Sequence, residues 1–209
     1  MRRFLTLSLL VIYHPADAFF IIKKNRERFL FLSVILLFAL TIICRIVSIF
    51  FTHYSISGMA SGDANLALEF VRMWVPVIAW VIGSYAVTTI MGGESKISEI
   101  FTASSFCMVP YILMSPVLVL LSRVITMQEI QFYNLLTIVM WAWVLILFFA
   151  SLKILNDYSM GKCIGICLLS IFSMLLLVMV VLLFMVLISQ FVSFFGDIIV
   201  EYRMKIAPK

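Results

Sequence analysis

Gly92–Pro116 reads GGESKISEIFTASSFCMVPYILMSP. It begins on a glycine pair after the apolar run Trp74–Met91, passes through a short polar turn and turns apolar again from Phe101. A span, a turn and a re-entry into the bilayer account for that order. Working outward, the same pattern recurs. About 20 apolar residues cross a bilayer as a helix. Five runs qualify: Phe29–Phe51, Trp74–Met91, Phe101–Leu121, Leu135–Leu155 and Cys163–Phe195. The last is longer than a bilayer needs, so it should tilt or run on into the tail.

Composition agrees. The 209 residues are 65% hydrophobic and 12% charged, whereas soluble domains run at about 45–50% and about 25%. Such a chain in water would expose large apolar patches. In lipid every backbone N–H and C=O must be paired within the structure, so continuous apolar runs must be helices. Barrel-type alternation is absent from the sequence. The expected fold is an all-α polytopic membrane protein, with five transmembrane helices preceded by an amphipathic N-terminal interfacial helix. Residues 1–28 form the N-terminal part, 29–195 the transmembrane domain and 196–209 a tail.

Basic residues set the expected orientation. Six precede the first span: Arg2, Arg3, Lys23, Lys24, Arg26 and Arg28. They place the N-terminus in the cytoplasm, and five crossings place the C-terminus outside. The cytoplasmic side then totals nine basic residues, with Lys96, Lys153 and Lys162 added. The outer side totals five: Arg72, Arg123, Arg203, Lys205 and Lys209. The net charge of +5 follows from topology. A nucleic-acid partner would need a clustered basic face with stacking aromatics, which the sequence lacks.

Met1–Ala18 imitates a secretory signal, with Arg2 and Arg3, an apolar run and Ala16-Asp17-Ala18. The basic cluster Lys23, Lys24, Arg26 and Arg28 just beyond resists translocation, so retention is expected. A helix beginning near Pro15 fits better. Proline suits its first turn, Asp17 complements its positive dipole end, and Phe19, Phe20, Ile21 and Ile22 supply an apolar side. It would lie in the interface against anionic lipid headgroups, or dock on the bundle, and the two are compatible.

Candidate chemistry is sparse. Cys44, Cys107, Cys163 and Cys167 lie in or beside apolar runs and read as packing residues. Cys163 and Cys167, at i and i+4, are too far apart along a helix for a usual disulfide. His14 and His53 sit in no nucleophile–base or metal-ligand spacing. The expectation is no enzyme, no cofactor and no metal. Arg45 is the one charge more than two residues inside a predicted span, Lys153 standing two from the end of its own. The favoured reading has it snorkel to the headgroups near its helix end. A functional Arg45 would pair with an acid such as Glu69 or Glu129, or with another subunit. Pro76 falls in the first turn of its run. Pro110 and Pro116 should kink or unwind the third helix, either as a bend for packing or as a broken helix around a small polar pocket with Tyr111, Ser104, Ser105 and Ser115. Trp141 and Trp143 pack or sit near an interface. The outer loop from Thr52 turns helical near Asp63, and Ile198, Ile199, Tyr202 and Ile206 give the tail helical spacing.

Four motifs in order carry a family resemblance. They are Tyr13-His14-Pro15-Ala16-Asp17-Ala18-Phe19 with its basic cluster, Gly92-Gly93-Glu94 with Ile97 and Ile100-Phe101 after it, Val109-Pro110-Tyr111-Ile112, and Asp157-Tyr158-Ser159-Met160-Gly161-Lys162. In these the chain resembles the bacterial five-span branch of the Yip1 family. Ala16 departs from the bulkier apolar residue usual there. The resemblance implies a bacterial cytoplasmic-membrane protein without enzymatic activity. Such proteins tend to be encoded beside ABC transporters, including carbohydrate uptake systems. It therefore implies an accessory subunit packed against permeases, and homo-oligomerisation stays open. Partner or lipid contacts are expected at Lys23, Lys24, Arg26, Arg28, Gly92, Gly93, Glu94, Asp157 and Lys162. An autonomous small-solute transporter and a membrane-shaping protein working through the N-terminal helix are the alternatives.

Overall fold

A computed structural model describes residues 2–24, 28–52, 66–125 and 129–206. Among these residues the α-helices are α1 (Arg2–Tyr13), α2 (Pro15–Lys24), α3 (Arg28–Phe51), α4 (Leu66–Ile90), α5 (Ile97–Cys107), α6 (Val109–Ser122), α7 (Ile130–Leu155) and α8 (Met160–Ile206), and there is no strand. Five segments are long and apolar enough to cross a membrane: Ser33–Phe51, Leu68–Ile90, Ile97–Ser122, Ile130–Leu155 and Met160–Gly196. Arg26, His53 and the turn toward Asp63 lie outside the described residues.

The third span is the inner element. Ile97–Ser122 is the most enclosed of the five, and α5 meets α2, α3, α4 and α7. Thr102-Ala103-Ser104-Ser105 makes this approach possible, because small side chains let backbones come close where lipid offers no hydrophobic drive. The Thr102 and Ser105 hydroxyls return to their own helix, while Ser104 Oγ is buried without a hydrogen-bond partner. Ser105 Oγ donates to the Thr102 carbonyl at 2.7 Å, and Ser84 and Ser151 do likewise to Trp80 (2.6 Å) and Phe148 (2.8 Å). These three hydroxyls are thus paired without widening the helix contacts.

The three prolines act differently. Pro110 occupies the first turn of α6, and the chain breaks just before it at Met108, whose φ of −82° and ψ of −4° end α5. Pro116 lies inside α6 without ending it. Its missing N–H orphans the Ile112 carbonyl, and the Cys44 thiol of α3 reaches that oxygen at 3.7 Å. Cys44 is therefore a weak donor as well as a packing residue. Pro76 stands well inside α4, not in its first turn, because the helix begins eight residues before Trp74, at Leu66. The mixed composition of 66–73 hid that start.

The N-terminal helix docks on the bundle. Pro15 opens α2, Asp17 sits in its first turn, and Lys23 and Lys24 close it. Val11 of α1 and Ala18, Phe19 and Ile22 of α2 are buried in the main core, where α2 packs on α7 and α5. Phe20, expected on the apolar side, is 57% exposed. Adjacent helical residues point about 100° apart at 3.6 residues per turn, so Phe19 and Phe20 cannot share one buried face.

The last helix leaves the core. α8 packs mainly on α4. A Cβ on Gly83 would lie 3.0 Å from the Met174 backbone nitrogen, so a side chain there would push the two helices a few tenths of an ångström apart. Residues 181–196 are then exposed at every position. The 47-residue helix runs on to Ile206. Its 37-residue apolar part measures about 55 Å at 1.5 Å per residue, against a hydrocarbon core of about 30 Å. Gly83→Val is expected to cost about 1–3 kcal/mol in equilibrium unfolding in mixed micelles. Gly165→Ala, where a Cβ meets nothing within 4 Å, should be neutral or stabilising by up to ~1 kcal/mol.

Candidate functional site

Three of the four sequence motifs meet at one end of the bundle, where α4 ends and α5 begins. Two helices stop there in the same way. After α4, Gly92 takes a φ of +69° and the Gly93 N–H reaches back to the Thr88 carbonyl at 2.7 Å. After α7, Asp157 takes a φ of +51° and the Tyr158 N–H reaches the Lys153 carbonyl at 3.1 Å. Both are Schellman closures with a left-handed residue followed by a six-to-one bond. Glycine is the usual residue there, and Asp tolerates it through its short polar side chain.

Asn156 joins the two turns. Its Oδ1 accepts the Ser95 backbone N–H at 3.2 Å, and its Nδ2 donates to the Leu152 carbonyl at 3.1 Å. It is 7% exposed, so both bonds are shielded from water. Gly93 lies against it: an added Cβ would stand 2.5 Å from both Asn156 Oδ1 and Tyr158 Oη. Burial, reinforced by the Cys163 thiol, pushes the Tyr158 hydroxyl above its ordinary pKa, which keeps it neutral. Lys162 lies 4.8 Å from the centre of the Tyr158 ring. The Lys96 N–H donates to the Glu99 carboxylate at 3.1 Å, fixing the start of α5.

The first motif joins through charge. Lys23 at the end of α2 is bonded to the Asp157 carboxylate. The expected contact residues therefore divide. Lys23, Gly92, Gly93, Asp157 and Lys162 build one internal latch, Glu94 and Lys24 stay exposed, and the side chains of Arg26 and Arg28 lie outside the described residues. Sequence reading missed Asn156 as the central group. Its place directly before a helix stop was the available signal.

The opposite end holds the buried charge. Arg45 of α3 grips one Glu69 oxygen of α4 with Nε at 3.1 Å and Nη2 at 2.7 Å. Arg72 takes the other oxygen at 3.0 Å. The pairing open to Arg45 in the sequence is thus formed, with Glu69 as the acid. The favoured snorkelling reading gives way because α4 extends to Leu66 and brings Glu69 alongside. The Tyr111 hydroxyl of α6 lies by Arg45 and Ser48, and its ring sits 5.5 Å from that of Trp141 on α7. Tyr111 thereby ties α3, α6 and α7. Beside the broken helix Ser104 and Ser115 are buried with their hydroxyls unpartnered. The cavity at Met108 is apolar, about 440 Å³, and lies between α4, α7 and α8. Ser104 and Ser115 line none of it. Among the described residues no group of three His, Cys, Asp or Glu could hold a metal.

The family model of the Yip1 domain matches residues 9–183. The chain belongs to the Yip1 family. The comparisons with curated proteins and with solved structures give no match. The Yip1 domain begins inside α1 and includes the latch, the broken span and the Arg45–Glu69 pair. It ends at Leu183, close to where α8 parts from the bundle.

Asn156→Ala should cost about 1–3 kcal/mol, because it leaves the buried Ser95 N–H unpaired. Gly93→Ala should destabilise by a similar amount, while Lys23→Ala should cost under ~1 kcal/mol, since the Asp157 side chain is 73% exposed. At the other end, Glu69→Leu leaves two arginines without their acid. It should cost about 1–3 kcal/mol, less than a fully buried pair because Arg45 is 40% exposed. Arg45→Met with Glu69→Leu should cost less than the sum of the single changes in a double-mutant cycle.

Proposed function

We propose that this Yip1-family protein is a non-enzymatic accessory subunit of the bacterial cytoplasmic membrane, packing against the permeases of an ABC transporter of the carbohydrate uptake class. The N-terminus and the latch face the cytoplasm, in keeping with the basic cluster around α2. The observation that carries the reading is the free end of α8. Residues 181–196 expose a continuous apolar surface that extends a helix already too long for one perpendicular crossing. Helix faces of this kind gain van der Waals packing when they lie against the helices of a multi-pass partner. The type of permease rests on the resemblance alone.

The polar groups support a structural role. Asn156, Lys23, Asp157, Arg45 and Glu69 are engaged within the chain. The cavity is apolar, which disfavours a solute path. Tagged protein gently extracted from native membranes is expected to carry ABC permeases in fixed ratio. Replacing Leu183, Leu187, Phe191 and Phe194 together by alanine should remove them while the thermal transition of the bundle stays within ~2 °C, because these side chains are exposed. Recovery of the chain alone, or only with copies of itself, contradicts the reading.

A further inference from the structure

The 440 Å³ cavity has a floor and a mouth, and Arg72 stands on α4 one turn beyond its rim at Pro76. Its floor is Trp80, Val144 and Met108, at 8%, 1% and 5% exposure. Its mouth lies between α7 and α8, where Leu145 and Ile171 are 65% and 41% exposed. The lining lies inside the segments that cross the membrane, so the medium at the mouth is hydrocarbon. An apolar space of this size is within the range of ligand pockets, about 300–1,000 Å³. The lining has no charged side chain to hold a polar solute.

The rim supplies the other half of an amphiphile's requirements. Arg72 stands one turn before Pro76 on the same side of α4, about 6 Å along the axis, and Pro76 lines the cavity. Arg72 spends one nitrogen on Glu69 while its side chain remains 57% exposed. Glu69 is already held by Arg45, so the cluster of Arg45, Glu69 and Arg72 carries a net positive charge. Arg72 also lies toward the end of its span, which starts at Leu68. A guanidinium with donors to spare, above an apolar slot opening sideways into lipid, matches a phosphate diester bearing an acyl chain.

We propose that this cavity is a phospholipid site: one acyl chain enters between α7 and α8 as far as Trp80, and the phosphate is held at Arg72. The proposal is independent of the partner reading, because it concerns the isolated chain in a bilayer.

The test uses full-length protein in which Trp74, Trp141 and Trp143 are changed to phenylalanine, leaving Trp80 as the sole fluorophore. In detergent, phospholipid brominated along its acyl chain is titrated in. Because Trp80 is buried and lines the floor of the cavity, an acyl chain seated there brings bromine closest to it. Saturable quenching is expected, reduced severalfold by Cys167→Phe, which fills the slot. Arg72→Gln should weaken the apparent affinity about tenfold, as loss of a charge-assisted bond implies. A brominated alkyl detergent without phosphate should bind equally to both forms. Absence of quenching, or quenching unaffected by Cys167→Phe, overturns the site. Equal affinity for phospholipid in Arg72→Gln overturns the phosphate assignment. Should Cys167→Phe fail to fold, retention of phospholipid by the parent chain through delipidation, read by native mass spectrometry, supplies the decision: none retained overturns the site.

Discussion

The amide of Asn156 is the contact on which the arrangement of this bundle depends. Helix ends in a membrane protein leave carbonyls and N–H groups that must be paired. Here two such ends, after α4 and after α7, are closed by their own backbones and then joined through one side chain. The junction fixes where α5 starts, and so where the broken third span enters the core. It also places Asp157 to receive Lys23, which brings the N-terminal helix onto α7 and α5. Glycine at position 93 is required because Asn156 and Tyr158 occupy the space a side chain would need.

At the far end the same economy holds with charge. Glu69 is shared by two arginines, and Tyr111 connects that pair to the aromatic packing around Trp141. A bilayer penalises an isolated charge far more than an ion pair with well-placed hydrogen bonds. The network therefore sets the register of α3 against α4, while Gly83 sets that of α4 against α8. Between the two ends large apolar side chains fill the core, and small residues such as Ser84, Ser105 and Ser151, with hydroxyls turned back on their own helices, let the helices approach. The void between α4, α7 and α8 is apolar and open toward lipid.

Much of this was legible in the sequence. The apolar runs located the five spans because the bilayer demands their length and their helical pairing. Pro15, Asp17 and the terminal lysines located α2, since each matches the polarity of a helix end. The glycine pair marked the first turn. What stayed hidden depends on contacts between distant segments. The choice of Glu69 over Glu129 for Arg45 rested on where α4 begins, and residues 66–73 are too mixed to give that away. Phe20 looked equivalent to Phe19 until the docking face was fixed. The break itself left a packing bend and a polar pocket both open, and the apolar cavity beside Met108 could not be foreseen because its walls come from α4, α7 and α8.

The central claim is that the N-terminal helix docks on the bundle beside the turn after α7. It is tested most directly by cross-linking in native membranes, with cysteines placed at positions 23 and 157 of a chain whose four native cysteines are replaced by alanine or serine. A short bifunctional maleimide is expected to join them within one chain, and a cysteine at position 24 paired with 157 should react more slowly. No link between 23 and 157, with both thiols shown to be reactive singly, would mean that α2 lies away from the bundle and would contradict the account.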